Sequence, residues 1–177
     1  MGWDNPNGSQ RYYIGYVDWT GFNGLMEYTG SDKFSAVLQA GTSSQKYQWE
    51  GFYTAAPDTK SRIITVNGGY IKGGANYRAN DNSNFFFNVG QIMRPPSFDG
   101  VFPNADYDAE EADEILNESF TSFELGYGFR SSNFKGTINA YHTVWGDRTL
   151  RRSTSIDDQG VRIIYSGVEQ THQGIEG

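Results

Sequence analysis

The densest chemistry in the sequence is the acidic run DYDAEEADE at 106–114, with six carboxylates in nine residues. Carboxylates suit hard cations, and Asp106, Asp108 and Glu110 are the candidate Ca2+ ligands. The run lacks the glycine that an EF-hand loop needs at its sixth position, so its plainer reading is a solvated acidic loop. His142 and His172, the only histidines, lie 30 residues apart with no carboxylate at ligand spacing, and they do not point to zinc. Glu27 and Glu124 are the types of group that a glycosidase pairs, yet both fall in regularly alternating segments, and their spacing does not bring them together. No Ser-His-Asp order, phosphate loop or nucleotide fingerprint is present. These residues point away from an enzyme and call for no cofactor. A second set, Arg94, Phe98, Phe102, Tyr107, Trp145, Asp147 and Arg148, gathers aromatic and charged groups in the expected loops. They are the candidate contacts for a small-molecule or glycan ligand. The competing reading has them brace the loops or sit among lipid headgroups.

Whatever these groups do, strands must position them. The chain has 177 residues, enough for one domain with its own core. Aromatic residues make up 16% and there are 22 glycines, while mean hydropathy is negative. No run approaches the roughly 20 apolar residues of a spanning helix, which excludes helical membrane insertion but not a barrel. Cysteine is absent, which removes disulfide and thiolate chemistry. The opening MGWDNPNGSQ has no basic segment followed by an apolar one, so if the protein is exported this chain is expected to be a mature portion or a fragment. A net charge of −7 argues against nucleic acid as the main partner.

The apolar period is two almost throughout. It predicts strands at 18–29, 33–49, 68–80, 84–91, 122–130, 134–145 and 161–176, the last broken near Gly167, with 11–17 as a candidate eighth. The one expected helical turn is DAEEADEILN at 108–117. The connections alternate in length. Tight polar turns at 30–32, 80–84 and 131–133 separate long links near 50–68, 94–118 and 147–160. A soluble sandwich mixes hairpins with crossovers, whereas an up-and-down meander through a membrane alternates short turns with long loops.

One face of these strands is polar: Asn23, Glu27, Ser35, Gln39, Lys72, Asn76, Arg78, Asn88, Glu124, Arg130, Lys135, Thr137 and Asn139. Charges of both signs at mid-strand require water or another polar surface. The opposite face mixes large apolar groups such as Ile71, Tyr77, Phe123 and Leu125 with Ala36, Ala40, Gly73, Ala75 and Ala140. Small residues would leave voids against a second sheet but cost little against lipid tails. Aromatics near the expected strand ends (Trp19, Tyr28, Tyr47, Trp49, Phe85, Phe98, Phe102, Phe129, Phe134, Tyr141 and Trp145) match interfacial girdles. The expected class is all-β, an antiparallel up-and-down meander forming part of a large transmembrane β-barrel.

TSFELGYGFRSSNFKGTINAYHTVWGDRTL at 121–150 resembles the C-terminal half of the barrel in TonB-dependent outer-membrane receptors of Gram-negative bacteria. NVGQIMRPPSFDGVFP at 88–103 is similar to the element before it, VDWTGFNGLMEYTGSDKFSAVLQAG at 17–41 to an earlier hairpin, and GVEQTHQGIEG at 167–177 to the strand after the next loop. The resemblance implies a barrel of about 22 strands with an N-terminal plug and a TonB box. It implies import of a scarce nutrient, such as an iron chelate, a cobalamin or a glycan, across the outer membrane. This chain holds neither plug nor TonB box, so it is expected to be a partial barrel of seven or eight strands over 1–177, meeting TonB only through missing N-terminal parts. Its expected partners are outer-membrane lipid and the nutrient. The alternatives are a complete small eight-stranded outer-membrane barrel and a soluble, secreted carbohydrate-binding β domain.

Overall fold

The computed structural model describes residues 13–53, 56–105, 109–156 and 159–177, with side-chain placement described outside 52–59, 151–164 and 166. Eight strands form one antiparallel sheet: β1 (Tyr13–Tyr28), β2 (Phe34–Tyr53), β3 (Ala56–Lys60), β4 (Ile64–Asn80), β5 (Ser83–Arg94), β6 (Glu118–Arg130), β7 (Lys135–Ile156) and β8 (Gln159–Glu176). They pair in the order β1-β2-β4-β5-β6-β7-β8, an up-and-down meander, with β3 beside the end of β2. β3 and β4 lie on the same edge of β2 and are parted by residues 61–63. Ser61 stitches this gap: its N–H donates to the Trp49 carbonyl at 2.9 Å, and its Oγ accepts from the Trp49 N–H at 2.9 Å. Among the described residues β1 and β8 pair only inward, so the sheet has two free edges and does not close on itself as a small eight-stranded barrel would.

Two of the three expected long links are largely strand. β2 runs on through Tyr53, β3 follows at 56–60, and β4 starts at Ile64, so 50–68 is mostly ladder. β7 and β8 likewise extend to Ile156 and from Gln159 across 147–160. These extensions mix apolar and polar residues without regular alternation and so lose the pattern that marks a strand. The segment 94–118 does leave the sheet, at 95–117. Its helix α1 is Phe98–Val101, not the expected turn at 108–117, whose described residues are irregular. Residues 13–17 open β1 and form no separate strand. β8 continues past Gly167, where a left-handed φ of 70° and register shifts against β7 replace the expected break.

The register puts the expected apolar residues on one face. A row crosses Tyr28, Ala36, Ala75, Phe87, Leu125, Ala140 and Ile175, and the next crosses Met26, Leu38, Gly73, Val89, Phe123, His142 and Gln173. The large members of this face are exposed: Phe22 is 76% accessible, Leu125 61% and Ile175 75%. Among the described residues no helix is long and apolar enough to cross a membrane, which leaves crossing by strands open. Towards the short turns the face carries an aromatic belt. Tyr28 and Phe34 lie 6.1 Å apart between ring centres, Phe85 and Tyr127 5.1 Å, and Phe129 and Phe134 6.4 Å. Towards the long links it turns polar, where Tyr16 donates to Glu50 at 2.6 Å and Lys60 pairs with Glu50 at 3.1 Å.

The opposite face is hydrogen-bonded laterally. Asn88 and Asn139 each donate to Glu124, at 2.8 and 2.7 Å, Asn84 donates to Asn76 at 2.6 Å, and Gln39 donates to the Tyr70 hydroxyl at 3.0 Å. Apolar groups occur here too: Phe86 covers Gly126, where a Cβ would stand 2.0 Å from the Phe86 Cζ. Among the described residues one buried hydrophobic cluster joins Tyr47, Trp49, Ile64, Val101, Phe102 and Ala105 where segment 95–117 folds back onto this face. The Trp49 indole donates to the Ala105 carbonyl at 2.7 Å, and the Tyr47 hydroxyl to the Pro96 carbonyl at 2.7 Å. Tyr47, Trp49, Phe98 and Phe102 therefore belong to a loop core, not to an interfacial girdle. Tyr141 and Trp145 lie on the polar face.

Candidate functional site

Three strands and a bulge assemble a cluster at the long-link end of the polar face. Glu118 and Phe120 share the face of Ser122 and Glu124 on β6, and the register sets Arg94 of β5 against Glu118 and Trp145 of β7 against Phe120. The Arg94 guanidinium pairs with the Glu118 carboxylate and stands 5.8 Å from the Phe120 ring centre. The Trp145 indole N–H donates to the same carboxylate at 3.3 Å, and its ring stacks on Phe120 at 4.7 Å. Glu118 is nearly buried, and both donors answer its charge. Beyond Trp145 the register shifts, and Asp147 takes a left-handed φ of 55°, a conformation that Asp tolerates better than most residues. The bulge lays Arg148 over Trp145, with its guanidinium carbon 3.4 Å from the ring centre and a hydrogen bond to Gln170 of β8. The result is a layered stack, Arg148 on Trp145 on Phe120, flanked by the Arg94–Glu118 pair. Cation–π and charge-assisted contacts of this kind hold a rigid polar–aromatic surface.

The cluster unites Arg94, Trp145 and Arg148 of the expected contact set. Phe98 and Phe102 lie elsewhere. Phe102 is fully buried at the loop core, and Phe98 stacks on Tyr13 at 6.1 Å between ring centres, close over Gly15. These two hold segment 95–117 down. Asp147 is exposed and lines a separate cleft with Met93 and Asn117. Tyr107, Asp106 and Asp108 lie outside the described residues. Glu110 accepts from Asn104 at 2.9 Å. Its neighbour Glu111 is engaged by Arg62, whose Nε donates at 2.7 Å, and this guanidinium holds the Glu111 carboxyl below its ordinary range. Among the described residues no group of acidic or histidine side chains is arranged to hold a metal ion.

Glu27 and Glu124 share a row but are four strands apart, roughly 19 Å at the usual strand spacing, well beyond a glycosidase pair. His142 and His172 face opposite sides of the sheet: His142 stands against Gln173, and His172 against Thr143. Sequence reading missed Glu118, Phe120 and Gln170. Carrying the period-two pattern of 122–130 back four residues would have put Glu118 and Phe120 on the polar face. Gln170 joins only through the bulge, which no local signal marks.

No protein-family model matches the chain, and no curated protein matches it. Among solved structures, the copper transporter OprC superimposes with a TM-score of 0.62 over 91% of this chain at 14% sequence identity. The match takes in 26% of OprC, so the chain spans about a quarter of that protein's length. A likeness at this identity concerns fold. The all-β sheet described above has the up-and-down antiparallel architecture of an outer-membrane β-barrel wall.

Proposed function

We propose that this chain is a sector of the barrel wall of a TonB-dependent receptor in a Gram-negative outer membrane, serving import of a scarce nutrient and not catalysis. The observation that carries the reading is the continuous exposed apolar face on a sheet with a polar reverse. On β5 this face runs from Phe85 to Met93, interrupted by Gln91. Eight steps of about 3.3 Å make roughly 26 Å along the strand, or about 20 Å in height at a tilt of about 40°. That approaches the roughly 25 Å apolar band of outer-membrane barrels. A soluble carbohydrate-binding domain would have to cover such a face, and the described residues supply no second layer over it.

In this reading the polar face looks into the lumen, the stack of Arg148, Trp145 and Phe120 lines the outward end, and the free edges of β1 and β8 pair with further strands of the receptor. Unpaired strand edges are not tolerated in hydrocarbon. The partners are outer-membrane lipid and an iron chelate, a cobalamin or a glycan; TonB is met through other parts of the receptor, and nucleic acid plays no part. OprC acts on copper, yet here Met26 and Met93 sit on the apolar face, and the two histidines diverge. The residues of this sector therefore favour no metal ion as cargo. The test is fractionation of cells expressing the intact receptor that contains this chain. Retention in the outer-membrane pellet after an alkaline wash, with detergent needed for a monodisperse species, is expected. A monodisperse species in plain buffer would overturn the proposal.

A further inference from the structure

The short-turn end of the polar face carries a second cluster, remote from the aromatic stack. Arg78 lies two residues before the end of β4, and Arg130 and Lys135 face each other as register partners across the β6–β7 hairpin. All three line one cleft of about 690 Å3, together with the amides of Asn76, Asn80, Asn82 and Asn84. Asp81 is the one carboxylate in that lining, and among the described residues none of the three cations forms an ion pair. In a chain of net charge −7 this is a local excess of positive charge. Like charges set directly across a strand pair oppose each other, so register and charge are in conflict here unless an anion lies between them. A glycine lets an amide lie across the floor of this cleft. The row Arg78, Asn84, Gly128, Thr137 has no side chain at its third position. There Asn84 leans over the floor, and a Cβ on Gly128 would stand 2.5 Å from the Asn84 Oδ1. The Asn84 amide donates one N–H to Asn76 and keeps a second donor.

We infer that this cleft binds a small oxyanion carrying carboxylate or phosphate groups, gripped by Arg130 and Lys135 and steadied by Arg78 and the asparagine amides. Guanidinium and amide donors supply the fork geometry that planar carboxylates and phosphates accept. The inference requires only the polar face of the sheet to be wet, so it stands or falls apart from the receptor reading.

The test is titration of the full chain in a zwitterionic detergent with inorganic phosphate and with citrate, followed by calorimetry at low and at moderate sodium chloride. Saturable binding of at least one probe, weakened tenfold or more in Arg130→Gln/Lys135→Gln and weakened by added salt, is expected. Lys46→Gln, which removes a cation from the opposite face, should leave the affinity unchanged. Gly128→Ala, whose Cβ would displace the Asn84 amide while keeping every charge, should also weaken binding, and this separates a shaped site from diffuse attraction. Absence of saturable binding by both probes in the folded wild-type chain, or equal affinity in the double variant, would overturn the inference.

Discussion

Leu125 is the position where the two possible surroundings of the apolar face differ most in free energy. It lies mid-band on β6 between Phe87 and Ala140, and 61% of its surface touches no protein. If water bathes this face, Leu125→Arg is an exposed surface change and shifts stability by no more than about 0.5 kcal/mol. If hydrocarbon bathes it, an arginine near the midplane costs about 2–4 kcal/mol. A matched change on the other face, Val37→Arg, provides the control: Val37 is 38% exposed on the polar side and should cost about 0.5 kcal/mol or less. The assay is equilibrium unfolding in urea in the presence of phospholipid. With a slope of about 1–3 kcal/mol per molar, a 3 kcal/mol loss moves the midpoint by about 1–3 M, far outside error. Equal midpoints for Leu125→Arg and wild type would refute the reasoning, as would a Val37→Arg loss as large as that of Leu125→Arg.

Trp49→Ala removes the centre of the loop core and the indole bond to Ala105, a change worth about 3–5 kcal/mol to segment 95–117. Hydrogen exchange should quicken at the Ala105 and Ala112 amides, which bond to Phe102 and Val101, while β4 and β5 amides keep their protection. The Arg62–Glu111 clamp on the same segment follows pH. Because Arg62 holds the Glu111 carboxyl below its ordinary value of 4.5, the clamp's contribution is complete above that value and is lost as pH falls through the depressed one. Loop protection factors, corrected for intrinsic exchange, should therefore fall on acidification below 4.5 in wild type and show no such step in Glu111→Gln. Gly126→Ala forces a Cβ into the Phe86 ring and should cost about 1 kcal/mol, the low end for overpacking because the ring tip can swing away from the sheet; Phe86→Ala in the same chain should relieve it.

The sheet was legible wherever one face had to differ from the other. From Tyr28 to Phe22, from Phe85 to Val89 and from Phe129 to Phe123, alternation fixed both strand and face, and the short polar turns fixed the hairpins. Legibility failed where that asymmetry ends. The outer parts of β2 and β7 lack regular alternation, so Arg148–Ile156 reads as loop although it pairs with β8. Aromatic residues misled for a related reason: Trp49 and Phe102 suit an interface as well as a core, and only the return of segment 95–117 decides between them. Of the loop residues chosen by type, Arg94, Trp145 and Arg148 meet in one cluster, whereas Phe98, Phe102 and Asp147 lie apart from it. Their meeting depends on register and on the bulge at Asp147, which are long-range facts that no window of sequence contains.

The account rests on what touches the side chains of β6 between Thr121 and Tyr127. Nitroxide labels placed singly at each of these positions in bilayer-embedded protein report it through collision with oxygen, which concentrates in lipid, and with a neutral nickel chelate, which stays in water. The account predicts a period of two, with oxygen collisions peaking at 123, 125 and 127 and chelate collisions at 122 and 124. Chelate collisions peaking at 123 and 125, or no alternation at all, would contradict it.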